Sequence, residues 1–248
     1  MVKPYSKPSS LPGRVLARIF LIFIGFLLGV ALFTPWDKIW ASALSSIDEK
    51  LPTIGLTWGS IDHDGPFGFR VMDFRITVAD TPGDLHFKHA YVKMGFSPLA
   101  NVQLNTGGSK CQFDMYQNGS FEFEGDLNLT YLLGYSDFKG ILRASGNLFM
   151  PAGSVLPKSG WVDIRSPQLV LPGDKIIEDI AFTSEIKGAD MNIRDFSMRL
   201  PLTYKSAGTA ILNPDNIYLT TFKLDGEMTV GKQSFPYAVE GSLADAIW

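Results

Sequence analysis

A chain of 248 residues, 46% apolar and with a formal net charge of −3, is long enough for one large β domain or two small domains with a real core. Its slight acidity argues against electrostatic capture of phosphate backbones, so no nucleic-acid partner is expected. The lone cysteine, Cys111, permits no internal disulfide, and its place in the alternating run KCQFDMYQ points to structural burial.

The apolar residues are concentrated first in RVLARIFLIFIGFLLGVALF, Arg14 to Phe33, whose only charges are Arg14 and Arg18 at its start. At about 1.5 Å of helical rise per residue, Val15 to Phe33 spans roughly 28 Å, close to the hydrocarbon thickness of a bilayer. Lys3, Lys7, Arg14 and Arg18 precede or open the block without an acid among them, whereas Asp37, Asp48 and Glu49 follow it. The expectation is a single-pass anchor over 15–33, with residues 1–14 cytoplasmic and the rest of the chain across the membrane. Ala41-Ser42-Ala43 would suit a signal-peptide cleavage site, but the apolar run is long for a signal peptide and lies too far from that site, which favours an uncleaved anchor.

After the block, Thr34-Pro35-Trp36-Asp37 reads as a helix start, with Thr as N-cap and Pro at the first helical position. Trp36, Ile39, Trp40, Ala43, Leu44, Ile47 and Leu51 recur at helical spacing, predicting an amphipathic juxtamembrane helix over 34–51. Its apolar face either lies on the membrane or plugs the end of the following domain. The expected anchor residues are Arg14, Arg18, Phe20, Phe23, Phe26, Phe33, Trp36 and Trp40, in contact with membrane lipids.

From Pro52 the period changes to two. Phe74, Ile76 and Val78 alternate with Arg75 and Thr77, with an irregularity at Met72-Asp73 that reads as a bulge. LHFKHAYVKMGF alternates again, and in KCQFDMYQNGSFEFEGDLNLTYL the Asn118-Gly119 pair separates two alternating runs, a hairpin signal for a turn with positive φ at both central residues. Glu122, Glu124 and Asp126 form the wet side of that hairpin. GILRASGNLFM, GWVDIRSPQLVLPG, the stretch from Ile176 to Leu202 and the run from Asn216 to Gly231 continue the pattern between turn residues; Leu127 to Phe138 suits a short helix or loop. The predicted class is mainly β: a transmembrane and a juxtamembrane helix, then an extended, curved antiparallel sheet over 52–248.

Motifs for chemistry are missing. There is no nucleophile elbow, phosphate loop, dinucleotide fingerprint, H-E-x-x-H or paired C-x-x-C. Asp62-His63-Asp64 invites a metal reading, but an EF-hand register from Asp62 places Pro66 and Phe67 where an oxygen ligand and a glycine are wanted. His86 and His89 fall on opposite strand faces, a poor zinc geometry and the pattern of solvated residues. The knot is therefore read as a corner: Gly65-Pro66 turns the chain and Phe67 and Phe69 re-enter the core. An anchored hydrolase using Asp62, His63 and Asp64 is the weakest of the functional classes, and neither catalysis nor a cofactor is expected. The sequons at Asn118 and Asn128 would matter only on a eukaryotic secretory route.

PWDKIW after the apolar block, LTWGSIDHDGPFGFRVMDFRITV, and HFKHAYVKMGFSPLA, in that order, resemble the type II secretion system protein N family, especially its delta-proteobacterial members. The resemblance covers the first hundred residues best. It implies an inner-membrane protein with a periplasmic β domain, an accessory part of the machine that moves folded proteins across the outer membrane, with other secretion components as partners and no catalytic residues. The general layout also looks like the AsmA-like proteins that bridge lipids between membranes. A sheet that is greasy on one face and uncovered by helices must fold on itself, pair with a partner or hold phospholipid tails in a groove. Phe74, Ile76, Val78, Phe87, Phe113, Phe121 and Phe123 are the residues expected to line that face.

Overall fold

Alternating side chains between frequent turn residues produce one sheet in the computed structural model, which describes residues 22–26, 29, 34–49, 54–78, 84–134, 138–151, 154, 156–171, 173–199, 202–214 and 219–242. Helix α1 (Trp36–Asp48) leads into β1 (Ile54–Thr57), β2 (Ser60–His63), a single 3-10 turn (Gly65–Phe67) and β3 (Gly68–Val78). The strands β4 (Asp84–Met94), β5 (Ala100–Thr106), β6 (Ser109–Met115) and β7 (Ser120–Asn128) follow, then the short helix α2 (Leu129–Leu132). The last seven are β8 (Lys139–Phe149), β9 (Ser159–Leu171), β10 (Lys175–Lys187), β11 (Asp190–Arg199), β12 (Thr203–Ile211), β13 (Thr221–Val230) and β14 (Gln233–Ser242).

From β3 onward each strand pairs antiparallel with the next in the chain, so the 14-stranded sheet is an unclosed meander with β14 at one edge. The other edge is shared, because β1 pairs with the second half of β3 and β2 with its first half. The mainly β expectation therefore holds, and no second strand layer covers the sheet among the described residues. Most of the expected span 15–33 lies outside the described residues. Positions 22–26 and 29 are helical, and among the described residues no helix is long and apolar enough to cross a membrane.

Local details depart from expectation in two turns. Asp73 has a left-handed φ of 50°, yet Met72 faces His89 and Phe74 faces Phe87 without a slip. No residue is inserted, so this is an in-register kink and not a bulge. At Asn118-Gly119 the hairpin forms, but only Gly119 has positive φ. The Tyr116 carbonyl accepts from the Gly119 N–H, the Tyr116 N–H donates to the Ser120 carbonyl, and the Asn118 side chain accepts from the Ser120 N–H. That is a three-residue loop closed by a left-handed glycine, in which asparagine serves as an acceptor.

Register determines what each face carries, since directly paired residues share a face. One row runs Val71, Ala90, Leu104, Cys111, Gly125, Ala144, Ile164, Phe182, Phe196, Ser206, Gly226, Tyr237. A second row on the same face runs Phe69, Val92, Val102, Phe113, Phe123, Gly146, Val162, Ser184, Ile193, Gly208, Leu224, Val239. Neither contains a charge. The row between them, on the opposite face, runs Arg70, Tyr91, Gln103, Gln112, Glu124, Ser145, Asp163, Thr183, Asp195. A register shift between Ile193 and Phe196 in β11 is what keeps both of those residues on the apolar side.

Packing is densest at the two ends of the apolar face. Phe69, Val71 and Ala90 form a buried cluster with Trp40, Leu44, Trp58 and Ile61 against them. Ile193, Ala210 and Leu224 form another, with Phe182, Phe196, Phe222 and Val239 around it. At this second end β12 and β13 approach so closely that a Cβ on Gly208 would collide with the Lys223 carbonyl, and one on Gly226 with the Lys205 carbonyl. Two side chains missing from the apolar face allow the backbones of these strands to approach there.

Candidate functional site

The apolar face is the candidate site, and its N-terminal end is closed by α1. Trp40 stacks on Phe69 with centroids 4.7 Å apart and planes at 23°, and Leu44 joins the same cluster. Asp48 accepts the Leu56 N–H at 2.7 Å, tying the end of the helix to β1. Between the two possible roles for this helix the structure selects the plug: Trp40 is packed on the sheet, with an indole N–H that is buried and has no partner among the described residues. Ile39 points away and is 45% exposed. Of the other expected anchor residues, Phe23 and Phe26 sit on helical backbone and are exposed, Trp36 opens α1 half-buried, and Arg14, Arg18, Phe20 and Phe33 lie outside the described residues.

Phe113, Phe121 and Phe123 meet on the middle of the face, with ring centroids 5.6 to 6.2 Å apart. Such offset and tilted contacts add modestly to the area that three rings bury. Phe74 faces Phe87 across β3 and β4 with centroids 6.0 Å apart, and Ile76 faces Leu85. Counted in strict alternation from Val71, Phe74 and Ile76 would fall on the opposite face. The left-handed backbone at Asp73 interrupts that count, and Phe74 packs against the Phe69–Val71–Ala90 cluster. The side chain of Val78 lies outside the described residues.

The residues that sequence reasoning passed over are on β10 to β14. There the face encloses a groove of about 660 Å³ lined by Phe182, Ile193, Phe196, Tyr204, Phe222, Leu224, Met228, Tyr237 and Val239 among others, within the range of small-ligand sites. Strand β12 escaped notice because its face residues Ser206, Gly208 and Ala210 are small, so TYKSAGTAI has no greasy alternation to detect.

The polar face carries its own groove, of about 680 Å³, lined by Gln103, Gln112, Asp114, Glu122, Asn147 and the half-exposed Trp161 among others. Two of its carboxylates, Asp114 and Glu122, are engaged by neighbouring side chains. Asn101 and Gln112 donate to Asp114 at 2.5 and 2.9 Å, and Asn147 and Tyr116 donate to Glu122 at 2.9 and 3.1 Å. Arg143 pairs with Asp126 at 3.0 Å, so the Glu122, Glu124 and Asp126 stripe is the wet side that the alternation predicted.

Residues once considered for chemistry are dispersed. Asp62 and His63 are exposed on β2, and Asp64 accepts the Tyr91 hydroxyl at 2.7 Å, bracing the corner. Phe69 enters the core as expected, but Phe67 is 66% exposed, because the 3-10 turn over Gly65–Phe67 swings it outward. The histidines are not simply solvated. His86 stacks on Tyr131 of α2 at 5.0 Å with its Nε2 buried, and burial followed by the charges of Arg70, Lys88 and Lys110 lowers the pKa of His89. Among the described residues no group of His, Cys, Asp and Glu is arranged to hold a metal ion. Cys111 is buried within the apolar face, and burial, aided by Asp126, pushes its thiol up to about 11, as befits a packing residue.

Comparison of the chain with models of known protein families, with curated proteins and with solved structures finds no match.

Proposed function

We propose that this protein holds lipid acyl chains on the apolar face of a membrane-tethered sheet, in the manner of the AsmA-like layout. The observation that carries the reading is the pair of adjacent charge-free rows running from β3 to β14, covered at the α1 end and overlaid by no second strand layer among the described residues. An exposed apolar surface of this extent is costly in water and is a mark of binding to lipid or to another protein. The apolar block over 15–33 would hold the sheet at the bacterial inner membrane, with the N-terminus cytoplasmic and the sheet periplasmic. Its plugged end then starts beside the bilayer, and acyl chains would lie against Phe113, Phe121, Phe123 and the groove over β10 to β14.

The test is native mass spectrometry of the detergent-extracted full-length protein, with analysis of lipid kept after delipidating washes. Met115 and Phe235 are half-exposed on the apolar side, so Met115→Glu and Phe235→Glu together spare the packed core. Stoichiometric phospholipid on the parent and its loss from the double variant is the expected result. A lipid-free parent, or retention unaffected by the two charges, overturns the reading.

A second reading rests on the edge strand β14: an accessory component of type II secretion, to which a partner strand adds on one side of Pro236, the residue that interrupts the edge. Photo-cross-linking from Ser234 and Ala238 in the periplasm should then capture another secretion component; lipid products alone would set this reading aside.

A further inference from the structure

The groove over β10 to β14 contains one unsatisfied polar group that a hydrocarbon-lined surface does not need. Tyr204 is 3% exposed, lines the groove, and its hydroxyl has no hydrogen-bond partner among the described residues. Phenylalanine would fill the same volume without the cost of a buried, unpaired hydroxyl. The hydroxyls of Tyr91 and Tyr116, by contrast, donate to Asp64 and Glu122. Of the other hydroxyl side chains lining the groove, Thr220 already accepts the Asn213 N–H through its Oγ1, and Tyr237 is 48% exposed.

The ring is held in place. Phe196 and Tyr237 both meet it edge-on, at 6.0 and 5.8 Å. A ligand reaches this buried hydroxyl only when a neighbouring side chain moves, and Tyr237, 48% exposed on the edge strand β14, is a ring neighbour with room to do so.

We infer that Tyr204 anchors an esterified acyl lipid, its hydroxyl donating to the ester carbonyl of a chain that occupies the groove. The inference rests on the lipid-holding reading above. Its chemistry follows from the lining: among the described residues no charged side chain borders the groove, so an ionised carboxylate or phosphate there would lack a counter-charge. A neutral carbonyl needs one donor and no more. The charged headgroup then lies outside, toward solvent, while the chain continues along an apolar face that reaches back to α1.

The experiment uses the full-length protein in detergent micelles doped with equal amounts of a dihexadecanoyl ester phosphatidylglycerol and its diether analogue, which lacks both carbonyl oxygens. Native mass spectrometry reads the ratio of the two bound species for the parent and for Tyr204→Phe. The expected result is a preference of about three- to tenfold for the ester in the parent, the worth of one neutral hydrogen bond, falling to none in Tyr204→Phe. Equal binding of both lipids by the parent, or a preference that survives the substitution, overturns the anchor while leaving the lipid reading intact. Binding of neither lipid overturns both. Tyr204→Phe removes a buried hydroxyl that has no protein partner, so the expected result comes with a thermal midpoint equal to or above the parent's, and a lower midpoint would show that the hydroxyl is paired within the protein and overturn the anchor.

Discussion

The indole of Trp40 lies flat on the ring of Phe69, 4.7 Å between centroids, and through this contact the helix that follows the apolar block is docked on the sheet. The contact sits at the point where the apolar face begins, beside Val71 and Ala90, so it both shields that end and sets the angle at which the chain enters the domain.

Trp40→Ala removes a large, mostly packed aromatic and should destabilise the α1 docking by about 2–3 kcal/mol. Chemical denaturation followed by circular dichroism should show a lower midpoint, with Leu56 losing protection from hydrogen exchange as its bond to Asp48 loosens. An unchanged midpoint would mean that α1 contributes nothing to the fold.

Gly146 lies beneath Phe123. A Cβ there would stand 2.5 Å from the ring's Cζ and 2.6 Å from the Trp161 carbonyl, so both a side chain and the β8–β9 spacing would have to shift. Gly146→Val is expected to cost about 1–3 kcal/mol by overpacking and to disturb the Phe113–Phe121–Phe123 cluster. Near-ultraviolet circular dichroism and the urea midpoint check this; parental values for both would show that the strands separate freely here.

The Cys111 thiol is pushed from an ordinary value of 9.0 up to about 11 by burial and then by Asp126. Because the folded value lies above the unfolded one, the contribution is complete below pH 9 and is lost as pH rises toward 11. Cys111→Ala should therefore flatten the decline in stability across that interval. In the parent, alkylation at pH 8 should wait on unfolding; rapid labelling of the native state would contradict its burial.

Asp163 is held below the usual carboxylate range by hydrogen bonding from Arg165 and, secondarily, from Thr183, against the opposing effect of burial. Its contribution is present above the unfolded carboxyl value and is lost as pH falls through the folded one. Since Arg165 is 65% exposed, Asp163→Asn should cost at most about 1 kcal/mol at neutral pH. Acid titration should find the difference between parent and variant vanishing at low pH; a constant difference would locate the effect outside the ion pair.

Pro236 stands in the middle of the edge strand β14, opposite Glu227, where it has no N–H to offer an incoming strand. Pro236→Val restores a donor to the open edge. Size exclusion with light scattering should find the variant more self-associated than the parent, and equal masses would show that the edge is guarded by something else.

Much of this molecule follows from local pattern. Two-residue alternation bounded by Gly, Pro, Asn and Asp was enough for a mainly antiparallel β protein, for the hairpin at Asn118-Gly119, for the wet stripe of Glu122 and Glu124, and for a buried Cys111, because each depends only on neighbours a few residues apart. What tertiary structure decided depends on register, which pairs residues far apart in the chain. The two uncharged rows could not be read from strands whose face residues are Ser184, Ser206, Gly208 and Gly226, since small side chains carry no hydrophobic signal and acquire their place on the face only by pairing. The docking of Trp40 on Phe69, the stacking of His86 on Tyr131 and the stranded hydroxyl of Tyr204 likewise arise only when separate segments are brought together, where burial converts an ordinary polar atom into an unsatisfied one.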